Sequence, residues 1–218
     1  MSTQITRIPK PEAGRFKDGR KLFLVPAILL PPQPSDEGRH LLERYWSEVR
    51  DQVEGLERSI GKATHVFHEA LHVGGDEGIS LLQQLNPQGS SFVQAMCLSD
   101  AQLEATEDLA ALEESADWQR CLSIGLVSDV VRSMAVEGYQ QATSRRYEHI
   151  AGRIDETIEG SESGILFIRE DHRVQFPSDL QVFYVAPPAL DALKRWIDDL
   201  MQPPAPPPQQ AAEEPPVS

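Results

Sequence analysis

The chain reads as an α/β protein, and two observations predict that class. Short apolar runs of strand length stand at 21–30 (KLFLVPAILL), 165–168 (ILFI) and 181–185 (QVFYV), and long stretches of helical period lie between them. Strands alternating with helices predict a sheet with helices packed on it. Short runs following one another near the C-terminus predict a mixed, only partly parallel sheet. With 40% hydrophobic and 25% charged residues the composition is that of ordinary globular proteins. One domain is expected over 21–202, between a basic arm (1–20) and a disordered tail (203–218) that holds seven of the 17 prolines.

The arm carries Arg7, Lys10, Arg15, Lys17 and Arg20 among Pro and Gly residues. Lys21–Leu30 follows as a strand, with Pro26 marking it as an edge strand, a bent strand or two short pieces. Ser35 is an N-cap with Asp36 and Glu37 in the first turn, and Leu41, Tyr45, Val49, Val53, Leu56 and Ile60 then form one apolar helical stripe. Gly61 ends that helix. Gly74-Gly75-Asp76 leads into a short helix carrying Ile79, Leu82 and Leu85, and Asn86-Pro87-Gln88-Gly89 is a turn. Ser91–Leu98 has strand length and composition, with Ser99 or Asp100 capping the next helix. Asp100–Asp117 holds seven acidic residues and no basic one, the pattern of a solvated acidic helix face. A second long helix starts at Ser128 and reaches Ile158, with Arg145, Arg146 and Arg153 as a concentrated basic patch. ILFI, Arg173–Phe176 and QVFYV are three short strands, with a turn at Pro177-Ser178-Asp179, and Ala189–Met201 closes the domain as an amphipathic helix.

Net charge is −14. A surface so acidic repels phosphate backbones, which makes nucleic acid an unlikely partner. Cys97 and Cys121 form no metal or redox spacing and read as small buried hydrophobes of a reducing compartment. The start of the chain has no apolar signal-peptide core, and the longest apolar run is about half of a membrane span, so a soluble cytoplasmic protein is expected.

Chemistry concentrates in Lys62–Gly78, which holds three of the six histidines. His68-Glu69-Ala70-Leu71-His72 matches the HExxH string of zinc proteases, provided the string lies on a helix. On a helix, His68 and His72 are the metal ligands, Glu69 is the general base and Glu104 is a candidate third ligand. A strand over Thr64–Leu71 is the favoured alternative, because an α/β chain turns back into its sheet after a long helix; at ~3.3 Å per residue it sets the two imidazoles about 13 Å apart. Glu69 then stands at a strand end beside Gly74 and Gly75, where open α/β sheets bind ligands and where a helix N-terminus can meet an anion. Arg169, Asp171 and His172, just after ILFI, are further candidates for such a crevice.

The segments RYEHIAGRIDETI, GILFI and VQFPSDLQVFYVAPPALDALKRW, with EATEDLAAL and DWQRCL upstream, resemble a family of uncharacterised bacterial proteins. The resemblance covers roughly the C-terminal half and part of the middle. It implies a bacterial cytosolic protein and carries no activity, cofactor or residue role with it. The expectation is therefore a binding, regulatory or partner-interaction module for a protein or small molecule, with no cofactor. A zinc hydrolase is the alternative, and an anion- or nucleotide-binding enzyme centred on Glu69, Gly74 and Gly75 the third reading.

Overall fold

The computed structural model describes residues 18–28, 30 and 33–201. Strands β1 (Lys21–Pro26), β2 (Ala63–His68), β3 (Gln102–Leu103), β4 (Ser163–Ile168) and β5 (Gln181–Tyr184) form one sheet in the order β3-β2-β4-β1-β5. The helices are α1 (Asp36–Ile60), α2 (Gly75–Leu85), α3 (Pro87–Cys97), α4 (Leu109–Ser123), α5 (Asp129–Thr157) and α6 (Pro188–Met201). The α/β class is as expected.

Every strand pairing is parallel, which corrects the mixed sheet. Arg173–Phe176 is irregular rather than a strand, so β4 reaches β5 through a crossover instead of a hairpin. Ser91–Leu98 is helical rather than a strand. Asn86 accepts from the Gly89 N–H as an N-cap and Pro87 occupies the first turn, so the expected turn is a helix start. Phe92, Val93 and Met96 then bury one side of α3. Pro26 closes an interior strand, not an edge strand. Its missing N–H is harmless there, because β5 ends opposite Leu24.

Consecutive residues of β1 and β4 alternate between two cores. Phe23, Val25, Val66, Ile165 and Phe167 meet α1, α3 and α6 on one face. Leu22, Leu24, Phe67, Leu166 and Ile168 meet Tyr147, Ile150 and Ile154 of α5, with Val174 and Leu180 of the β4–β5 connection, on the other. Both faces are covered, which is why these strands read as unbroken apolar runs.

The winding places the site. From β1 to β2 to β3 the chain moves toward one edge over the first face, and from β3 to β4 to β5 it returns over the second. Crossovers of constant hand require that change of face when direction reverses. The neighbouring strands β2 and β4 therefore release their following segments in opposite directions, which makes their carboxyl ends a switch point of the sheet.

Helix α5 outruns the sheet. Its 29 residues span about 43 Å at 1.5 Å per residue. The C-terminal half packs on the strands, while the N-terminal half buries Ala135 and Ala142 and packs on α4. The two helices close tightly at Gly138, where an added Cβ would stand 2.4 Å from the Trp118 ring. The result is a helical hairpin whose tip, at 124–134, stands away from the sheet.

Residues 1–17 of the expected arm and the expected tail at 203–218 lie outside the described residues. Arg20, assigned to the arm, is instead anchored: its guanidinium binds the Asp179 carboxylate at 2.8 and 3.0 Å and the Asp155 carbonyl at 2.9 Å.

Candidate functional site

The HEALH string is a strand end and a turn. β2 stops at His68, and the Leu71 N–H donates back to the His68 carbonyl at 3.2 Å. Glu69 and Ala70 form the corner, with Ala70 at a φ of +71°. The strand reading of this segment is the one observed, and the helix that an HExxH site requires is not formed.

The candidate ligands accordingly go separate ways. His68 is buried, stacked on Phe167 with ring centroids 5.9 Å apart, and its Nδ1 meets the Glu69 carbonyl at 2.5 Å. Burial pushes its pKa below the ordinary histidine value, against the opposing pull of Glu69. His72 lies half-buried beyond the turn. Glu104 accepts from His65 Nδ1 at 2.9 Å and does not approach His68 or His72 as a shared ligand set. Among the described residues, no three His, Cys, Asp or Glu side chains come together as a metal group. Gly74 has a packing role: a Cβ there would stand 2.5 Å from the Leu103 carbonyl oxygen. Gly75 is exposed, in a left-handed conformation with φ +57°.

Glu69 joins the two segments at this switch point. One carboxylate oxygen accepts the backbone N–H of Arg169 at 2.9 Å, and the other accepts Arg169 Nε at 2.9 Å. The segments after β2 and β4 are thus tied together at the switch point. Behind Glu69 lies Arg146 of α5, whose Nη2 stands 3.5 Å from it. Arg146 grips Glu107 with Nε at 3.0 Å and Nη2 at 2.5 Å, and its Nη1 reaches Ser115 of α4 at 3.3 Å. Glu107 also accepts the Ala70 N–H at 3.2 Å, so the corner of the turn rests on the same network.

Charge thus alternates from Glu107 through Arg146 and Glu69 to Arg169, and exposure rises along the series from 0% for the Glu107 side chain to 35% for that of Arg169. Burial works against the charge of Arg146, but the hydrogen bond to Glu107 together with the charges of Glu107 and Glu69 outweighs it and its pKa is raised. For Arg169 burial again opposes, and the Glu69 carboxylate, followed by Tyr147 and Asp171, overcomes it and raises the pKa.

Arg169 also lines an open cleft of about 990 Å³ between α5 and the segment after β4. Tyr139, Thr143 and Tyr147 form the helix wall, and Asp171 and Arg173 face them. The Thr143 hydroxyl is buried in that wall without a partner among the described residues. Arg169 is held by Nε and by its own backbone, and its two terminal nitrogens have no partner among the described residues. An arginine fixed in this manner presents a ready fork for a carboxylate or phosphate.

Two expectations need correction in these terms. The acidic stretch 100–117 is not one solvated helix face: α4 begins at Leu109 with Asp108 as N-cap, and Glu104 and Glu107 precede it, buried. The basic patch is dispersed: Arg146 is inside, Arg145 pairs with Glu114, and Arg153 donates to the Ala105 carbonyl at 3.2 Å. Arg169 and Asp171 were legible from their place after ILFI. His172, read with them, is half-buried and stands beside Phe176, and the cleft does not use it. Arg146 and Glu107 were missed, although one signal existed: Arg146 occupies a stripe position of α5, four residues from Ala142 and from Ile150, both fully buried.

No family model, curated protein or solved structure matches the chain. Among the described residues, no helix is long and apolar enough to cross a membrane.

Proposed function

We propose that the chain is a bacterial cytosolic binding module of regulatory type that takes a small organic anion in the cleft beside Arg169. The observation that carries this reading is the Glu69–Arg169 clamp at the switch point of a parallel sheet, with Arg169 lining about 990 Å³ of open cleft. Glu69 serves as a positioning residue. It fixes the arginine through two hydrogen bonds and lowers the ordering that a ligand has to impose. Tyr139 and Tyr147 offer ring surface beside the charge, and the Asp171 carboxylate on the facing wall disfavours anions whose second charge would fall near it.

A panel of nucleotides, inorganic phosphate and organic carboxylates tests the reading by thermal shift, followed by calorimetry on any member that stabilises the protein. At least one member is expected to bind, and Arg169→Met is expected to weaken it roughly 10- to 100-fold, the loss of one bidentate charged contact. Arg169→Lys retains charge without the fork and falls between. A panel with no stabilising member at millimolar concentration removes the proposal, as does binding that survives Arg169→Met unchanged.

A further inference from the structure

The hairpin tip carries a feature that the cleft does not use. Ile124 and Val127 in the connection are 75% and 96% exposed, and Val130, Val131 and Met134 in the first turns of α5 are 70%, 48% and 63% exposed. The backbone beneath them is regular. Ser128 caps α5 by accepting the Val131 N–H, and Val130, Val131 and Met134 share one side of the helix.

We infer that this tip is the contact surface for a second copy of the same chain. Size is the first argument. The five side chains leave on the order of 600 Å² of apolar surface in water, at the upper end of what a monomer's largest patch shows. With its polar rim, such a patch approaches the about 800 Å² that each partner contributes to a standard interface. Charge is the second. In a chain of net charge −14, residues 118–136 carry only Arg120, Asp129 and Arg132, so two acidic copies meet here without like-charge repulsion. Self-complementarity is the third. Asp129 and Arg132 are one turn apart, 3.1 Å from each other and mostly in solvent, and a twofold crossing of the two tips sets each against its opposite in the other copy. An anionic lipid surface is the poorer fit. Arg120 pairs with Asp117 at 2.6 Å and Arg132 with Asp129, so the tip offers no unpaired cation among the described residues.

Sedimentation of the full chain between about 1 and 100 µM tests the inference, since a standard-size interface of this kind binds in the micromolar range or tighter. A dimer is expected, and Val130→Glu and Met134→Glu are each expected to weaken it at least about tenfold while circular dichroism stays that of the parent. Both positions are exposed, so loss of fold does not confound the readout. A chain that remains monomeric at 100 µM overturns the inference, and so does a dimer indifferent to both substitutions. A monomer that cosediments with vesicles of phosphatidylcholine and phosphatidylserine overturns it in favour of an anionic lipid surface. None of these residues lines the cleft, so the outcome is independent of the ligand proposal.

Discussion

The carboxyl edge of the sheet and the tip of the α4–α5 hairpin break the usual sorting of residues in opposite senses. At the sheet edge Glu107, Arg146 and most of Glu69 are taken out of water; at the tip Ile124, Val127 and Val130 are left in it. One helix carries both departures, since α5 supplies Arg146 to the network and Val130 to the tip, about 24 Å apart along its axis. Folding explains neither. A buried ion pair is at best about equal to apolar side chains of the same volume, and exposed valines contribute little to a core. The lesson of the pair is that α5 does more than cover the sheet: it positions a charged clamp at one end and presents an apolar surface at the other.

The sharpest way to break the comparison is at Arg146. Arg146→Met leaves Glu107 buried and unpaired and is expected to cost about 3–5 kcal/mol in denaturant unfolding. Glu107→Leu combined with Arg146→Met removes both charges and should recover all but about 1 kcal/mol of that loss. A single substitution costing under about 1 kcal/mol means that water reaches the network, and the contrast with the tip disappears.

How much of this was legible depended on whether the signal was periodic or pairwise. The class of fold, α1, α5 and α6 follow from period and caps, with Ser35, Ser128 and Gly61 standing where helices begin or end, and the strand at 63–68 follows from its place after a long helix. Parallel against mixed pairing was not legible, because Arg173–Phe176 has a strand-like composition and is ordered by contacts of Val174 and Phe176 with the core. At the site, Glu69 and Arg169 stand directly after β2 and β4, where one rule about strand ends put them. Glu107 and Arg146 were not legible, since a charged residue on an apolar stripe looks like an interruption until its partner, 39 positions away, is known. His68 and His72 show the converse case. The HExxH string matched a zinc motif, but the place of the segment after a long helix favoured a strand, and the pairing of β2 with β4 is that strand.

Acid tests the same contrast at a smaller scale. Burial holds His68 and His172 below the ordinary histidine pKa of 6.5, so both are neutral in the folded protein near neutral pH. The unfolded chain takes up protons near pH 6.5 and the folded one resists, so the unfolded state binds more protons as pH falls below that point. The stability in question is fully present above pH 6.5 and declines as pH drops toward the folded values, by up to about 1.4 kcal/mol per unit for buried His68 and by less for the half-buried His172, whose shift solvent screens. His68→Asn should remove its share of that slope in urea titrations between pH 7 and 5. Residues 118–136 contain no histidine, so association through the tip should not follow this slope. An unchanged slope in His68→Asn places the titrating groups elsewhere.

Ala70 gives a smaller effect of opposite sign. Its φ of +71° costs an L-residue about 1 kcal/mol or somewhat more, and glycine adopts the same conformation freely. Glycine also loosens the unfolded chain, so Ala70→Gly should raise stability by less than that, up to about 1 kcal/mol. A loss on substitution means that the methyl group's contacts outweigh the strain, and the turn then owes its shape to packing rather than to the bonds from Leu71 and Glu107.

The smallest expected effect falls on the other side of the comparison. Val127 is 96% exposed and touches little, so Val127→Ser should change stability by less than about 0.5 kcal/mol when the protein is dilute. If the tip joins two copies, that near-neutrality holds only below the dissociation constant of the dimer. Above it the parent gains stability by mass action and the variant gains less, so the melting temperatures should separate as concentration rises. Melting curves at about 1 and 100 µM distinguish the cases, because mass action stabilises the parent by about 2.7 kcal/mol at a hundredfold excess over the dissociation constant. A gap that widens with concentration makes Val127 an interface residue. A small gap of constant size reduces it to a surface valine and leaves the charged network as the one departure in α5 with a consequence.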